Sequence, residues 1–187
     1  MTEPIWAIEA AELEYQCLLA ERAHFDAALD AWVMWRRLGL AVALLTAATT
    51  GSAMEVFGLI PGFGPPGRTA LTGMLALLLA LATAGFAFLD PKGLRDRHDQ
   101  VGKRLAALRA EVRLLRRSAL SDGVPDGTAA LETLLRRHAE ILAEAPPIGD
   151  DRHEKTKRQL ASNVHYRELR AMTGRPVPDG KAYTSGR

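Results

Sequence analysis

Thr49, Ser52 and Glu55 recur three apart in the stretch TAATTGSAMEV, residues 46–56. On a helix that spacing gathers two hydroxyls and a carboxylate on one broad face. In an otherwise apolar segment such a face can line water, and a ring of carboxylates at a pore mouth favours cations. A chain with two spans cannot enclose a lumen alone, so a pore built on these residues requires a homo-oligomer. Other chemistries find less support. PGFGPPG, residues 61–67, has proline where a phosphate-cradling loop needs backbone donors, and no strand pattern leads into it. RHEK around His153 lacks the second histidine of a zinc-protease helix, and His98, His138 and His165 fall on separate segments without a common spacing. Cys17 sits beside Tyr15 and Leu18, where a small buried hydrophobe is the expected role. No catalytic residue, metal site or cofactor is expected.

The elements that must position the 46–56 face are set by an uneven hydropathy. The 187 residues are 25% charged and 48% apolar, with a net charge of +2. The apolar residues are bunched between Leu38 and Leu89, and residues 69–89 carry no charge. At 1.5 Å per residue, about 21 residues cross the roughly 30 Å hydrocarbon core of a bilayer. The upstream run, residues 38–60, is interrupted only by Glu55, and the segment it defines, about 36–58, is long enough to do the same. Between them the prolines and glycines of 61–68 allow only a tight reversal, and Asp90-Pro91 ends the second run. The expectation is an all-α fold: an integral-membrane helical hairpin of two transmembrane helices over residues 36–90, with a cytoplasmic helical stalk.

Flanking charge orients the hairpin. Arg22, Arg36 and Arg37 precede it and Lys92, Arg95, Arg97, Lys103 and Arg104 follow it, against Arg68 alone in the turn. Positive charge stays inside, so both termini are expected in the cytoplasm. Arg36, Arg37, Lys92, Arg95 and Arg97 are the candidate lipid-headgroup contacts, with Trp32 and Trp35 at the same level. Gly73, Ala76, Ala80 and Ala84 form a small-residue stripe suited to helix packing against the first span.

The flanking segments read as helices. Residues 1–35 form an acidic amphipathic helix whose seam runs through Ala11, Tyr15, Leu18, Phe25 and Leu29. Residues 91–120 form a basic helix with a seam through Leu105, Leu108 and Val112. Opposite charge draws the two together when a hairpin returns the chain antiparallel, and Leu18, Phe25, Leu29, Leu105, Leu108 and Val112 are the expected oligomer and stalk packing positions. A C-terminal helical region spans 128–173, and the tail 174–187 has nothing to bury and is expected to be disordered. The small net charge and the lack of basic residues interleaved with aromatics argue against direct nucleic-acid binding.

This layout resembles the SLATT-domain proteins, two-transmembrane effectors of prokaryotic conflict systems. The resemblance rests on EPIWAIEAAELEYQ and AWVMWRR in the first helix, the hairpin with its short Gly/Pro turn, and the basic helix KGLRDRHDQVGKRLAALRAEVRLLRR. It implies a bacterial inner-membrane protein that forms a pore or permeabilises the membrane in anti-phage, abortive-infection defence. It also implies control by a separate sensor or signalling protein of a nucleotide-messenger system. The alternative is a membrane-anchored scaffold or adaptor whose stalk docks a cytoplasmic partner.

Overall fold

A computed structural model of the chain describes residues 4–49, 65–118 and 127–174. Among the described residues it is helical throughout, with no strand: α1 (Ile5–Thr49), α2 (Pro65–Leu89), α3 (Pro91–Ser118), α4 (Thr128–Glu144), α5 (Asp150–Leu160) and α6 (Val164–Met172). The chain divides into two compact units, one of Met1–Ala28 with Asp96–Arg187 and one of Leu29–Arg95.

The first unit is built around the N-terminal half of α1, which is buried on two faces at once. Ala10, Leu13, Cys17 and Ala20 pack with Val101, Leu105, Leu108 and Val112 of α3 and Leu131, Leu134 and Ile141 of α4. Ala11, Tyr15 and Leu18 pack on the other side with Leu160 of α5 and Tyr166 and Leu169 of α6. The contacts of α1 with α3 run in opposite sequence directions: Glu14 meets Arg113 and Arg116, Glu21 meets Arg109, and His24 meets His98. The two helices are therefore antiparallel. Small residues let them approach closely, since a Cβ added at Gly102 would stand 2.9 Å from the Phe25 ring.

Local signals explain the ends of the helices in this unit. Asn163 caps α6, its side chain accepting from the Tyr166 amide at 3.2 Å. Asp150 and Asp151 open α5 and Lys157 and Arg158 close it, matching the positive and negative ends of the helix dipole.

In the second unit, α2 ends at Leu89 and α3 restarts at Pro91. Asp90 between them adopts φ +35°, and its carboxylate accepts from the Gly93 amide at 3.1 Å. Aspartate tolerates this left-handed backbone because its short side chain satisfies a nearby amide. The expected break at Asp90-Pro91 is present, but the residue before proline leaves the helical region through positive φ rather than through an extended conformation.

Two stretches, Ile5–Thr49 and Thr69–Ser118, contain windows long and apolar enough to cross a membrane, with mean hydropathy 1.3 and 2.1. Almost nothing covers them: 6% of the first window and none of the second is buried. Half-shielded positions recur at three and four on each helix, Leu38, Val42, Leu45 and Thr49 on α1 and Leu71, Leu75, Leu79, Ala82 and Phe86 on α2. Each helix thus has one narrow seam, and Leu40, Leu44, Met74, Leu77, Leu81 and Phe88 stand exposed on the remaining circumference.

Candidate functional site

Two groups of residues could carry function: the polar face of the apolar unit and the buried polar contacts of the helical unit. Of the first, Thr49 lies at the end of α1 on its half-shielded side. Its hydroxyl donates to the Thr46 carbonyl at 2.9 Å, and Thr46 donates to the Val42 carbonyl at 2.8 Å. Threonines bonded back to their own helix cost little in an apolar medium, because no polar hydrogen is left unsatisfied. Ser52 and Glu55 lie outside the described residues, as do residues 61–64 of the expected turn at 61–68. Residues 65–68 instead form the first turn of α2, where proline is tolerated because the first amides of a helix have no internal partner.

The small-residue stripe does not occupy the seam. Gly73, Ala76, Ala80 and Ala84 are all exposed on α2, and a Cβ added at Gly73 would meet no atom within 4 Å. The shielded side is instead the larger Leu71, Leu75, Leu79 and Phe86 line. The headgroup candidates Arg36, Arg37, Lys92, Arg95 and Arg97 are exposed, and the Arg36 guanidinium lies 5.5 Å from the Trp32 ring centre. Such a cation–π pair suits a site where an amphipathic ring and a charge share one level.

The expected packing residues divide. Leu18, Leu105, Leu108 and Val112 are buried within the chain's own core, and Phe25 is half-buried against Gly102. Leu29 is exposed. Beyond Leu18 the buried line on α1 moves to Ala20, Ala23, His24, Ala27, Ala28 and Ala31. Alanines admit a neighbouring helix more closely than the seam through Phe25 and Leu29 would, so the covered face follows side-chain size rather than the heptad.

In the sequence Glu14 is one acidic residue among several; the fold makes it a junction. It is fully buried, accepts from Arg113 Nε at 2.9 Å and Arg116 Nε at 3.0 Å, and lies 2.9 Å from His165 Nε2. Burial pushes its carboxyl up, but Arg113, Arg116 and His165 together outweigh this and hold it below the ordinary carboxylate range. Glu21 has one principal partner, Arg109 at 2.9 Å, and there burial wins and the carboxyl is raised. The sequence carries no separate signal for Glu14, because Glu12 and Glu14 flank Leu13 alike.

Next to Glu14, Tyr15 and Tyr166 join their hydroxyls at 3.2 Å, and the Arg170 guanidinium lies 5.8 Å from both ring centres. Burial, with Tyr15 second, pushes the Tyr166 phenol up to about 12. Burial likewise pushes the Cys17 thiol up to about 12, which removes the thiolate that nucleophilic chemistry requires.

Four histidines that the sequence scatters come into one region. His24 and His98 are buried with their Nδ1 atoms 2.9 Å apart. His24, His138 and His153 line a cavity of about 340 Å³ with Gln16, Leu19 and Leu142. Among the described residues no group of three or more His, Cys, Asp or Glu is arranged to hold a metal ion. The polar contacts of this unit tie α1 to α3 and α6 through charges and hydrogen bonds rather than through apolar surface alone. No protein-family model, curated protein or solved structure matches the chain.

Proposed function

We propose that the chain is an oligomeric membrane effector of anti-phage defence that permeabilises the bacterial inner membrane when a separate protein of a nucleotide-messenger system triggers it. One observation carries the membrane part: a helical unit whose apolar windows are almost wholly uncovered. In water each Å² of that surface costs roughly 25 cal/mol, and a monomeric soluble protein seldom exposes more than about 600 Å² in one patch. Hydrocarbon removes the cost. The excess of arginine and lysine around Arg36, Arg37, Lys92, Arg95 and Arg97 over Arg68 supports a cytoplasmic location for both termini and for the helical unit as a stalk. The resemblance to SLATT-domain effectors supports the defence role, and the Thr49, Ser52, Glu55 face supports a water-lined path between several copies.

The test is electrical. Purified protein in planar bilayers, with its trigger present, is expected to pass a cation-preferring current. Glu55→Lys should abolish or reverse that preference, while Thr49→Leu and Ser52→Leu should lower conductance several-fold without preventing assembly. Unchanged selectivity in Glu55→Lys removes this residue from the path.

The second reading is a membrane-anchored scaffold. It is favoured by the burial of Leu18, Leu105, Leu108 and Val112 inside a single chain, which leaves those positions no role in self-association. A correctly assembled, triggered wild type that passes no current would decide for it.

A further inference from the structure

We propose that His24 and His98 form a proton-operated clasp, which holds α1 to α3 where both helices pass out of the helical unit, and which a second proton releases. His24 stands five residues before Leu29 and His98 three after Arg95, the first and last residues of the apolar unit. Both links between the units therefore leave from beside this pair.

The geometry makes the contact sensitive to proton count. With 2.9 Å between the Nδ1 atoms, one ring donates Nδ1–H and the other accepts with its lone pair. A first added proton goes to Nε2 of the donor ring, and the bond survives. A second must take the accepting lone pair, after which two cations face each other with no bond between them.

Among the described residues, the charges that act on the pair do not offset that charge. From α5, His153 acts on His24 and Arg152 acts on His98, both disfavouring protonation. From α4 comes His138, itself buried, with an Nε2 that meets no hydrogen-bond partner among the described residues. On α1 the carboxylate one turn before His24 is Glu21, engaged by Arg109, and on α3 Asp99 beside His98 is engaged by Lys103. The cavity against His24 and His138 gives water a route to the pair.

The sign follows from burial. It lowers both imidazoles, His24 from 6.5 to about 4, so the closed clasp binds protons less readily than the open one. The clasp is intact above about pH 6.5 and is lost as pH falls toward 4. For His24 alone, moving from pH 7.5 to 5 multiplies the opening equilibrium roughly 30-fold. This inference is independent of whether the chain conducts.

Hydrogen exchange of the full chain in nanodiscs, corrected for the intrinsic pH effect on exchange, tests it. Between pH 7.5 and 5, protection in residues 18–28 and 96–106 should fall by about 30-fold or more while residues 8–15 and 164–170 keep theirs. Glu14, lowered below the ordinary carboxylate range, stays ionised at pH 5, so its contacts do not contribute. A double variant, His24→Phe with His98→Leu, should lose most of the fall in protection, keeping only the pH dependence that the raised Glu21 carboxyl and the lowered His138 imidazole contribute. Unchanged protection in the wild type, a loss spread evenly over the helical unit, or a double variant that opens as the wild type does would each overturn the clasp. If the double variant does not fold, the local or uniform pattern of the wild type decides alone.

Discussion

Glu14→Gln is expected to destabilise the helical unit by about 3 kcal/mol, because removing one partner of a buried ion pair leaves the others buried without compensation. Arg113 and Arg116 both aim at this carboxylate, and each keeps part of its side chain in solvent, which tempers the loss without cancelling it. The amide retains one oxygen as an acceptor but brings an NH₂ group to a site surrounded by donors. Urea unfolding followed by Trp6 fluorescence, in a Trp32→Phe, Trp35→Phe background, reads this unit specifically. Trp6 packs on its core, close enough to Gly127 that a Cβ there would stand 2.9 Å from the indole. Equal midpoints with and without the Glu14→Gln substitution would mean that the junction contributes nothing. Its pH behaviour has a definite sign: a carboxyl lowered in the fold stabilises fully above its ordinary value of 4.5, and that stability is lost as pH falls through the lowered value.

Leu108→Glu is expected to unfold the same unit outright. Leu108 has no exposed surface and packs with Leu105, Val112, Leu13 and Leu131. Losing a buried leucine side chain costs about 2–5 kcal/mol, and a carboxylate in its place adds a desolvation cost of several more. Together these are comparable to the whole stability of an ordinary domain, about 5–15 kcal/mol. Circular dichroism should show loss of helix and Trp6 should move to water. Leu114→Glu, on the same helix but 66% exposed, should leave both signals unchanged. If Leu108→Glu stays folded and alters only oligomer size, then Leu108 serves an interface between copies rather than the core of one chain.

Much of the architecture was legible because it is written in local patterns. The change from charged to uncharged residues at Thr69 and back after Leu89 bounds one apolar helical run, and α2 covers it. Opposite charge on the first and third helices prefigured the contacts of Glu14 and Glu21 with Arg109, Arg113 and Arg116. What was not legible depends on partners distant in sequence. A seam through Ala11, Tyr15, Leu18, Phe25 and Leu29 treats α1 as a helix with one buried face, yet α3 and α4 cover one side of it while α5 and α6 cover another. Periodicity counts a single stripe and cannot announce two neighbours. The histidines at 24, 98, 138 and 153 lie on four helices, and no spacing rule reaches across the 74 residues between the first two. Small residues permit close approach without requiring it: in the single chain Gly73, Ala76, Ala80 and Ala84 are exposed, and the half-shielded side of α2 is the leucine line.

Every role proposed for this chain requires lipid around the apolar unit. Spin labels placed singly at Leu44, Leu81 and Leu114 of the Cys17→Ser protein in lipid vesicles compare collision with oxygen, which concentrates in hydrocarbon, against collision with a water-soluble nickel chelate. Labels at Leu44 and Leu81 are predicted to meet oxygen and not the chelate, with the reverse at Leu114. Free access of the chelate to both Leu44 and Leu81 would place them in water and would contradict a membrane-spanning hairpin.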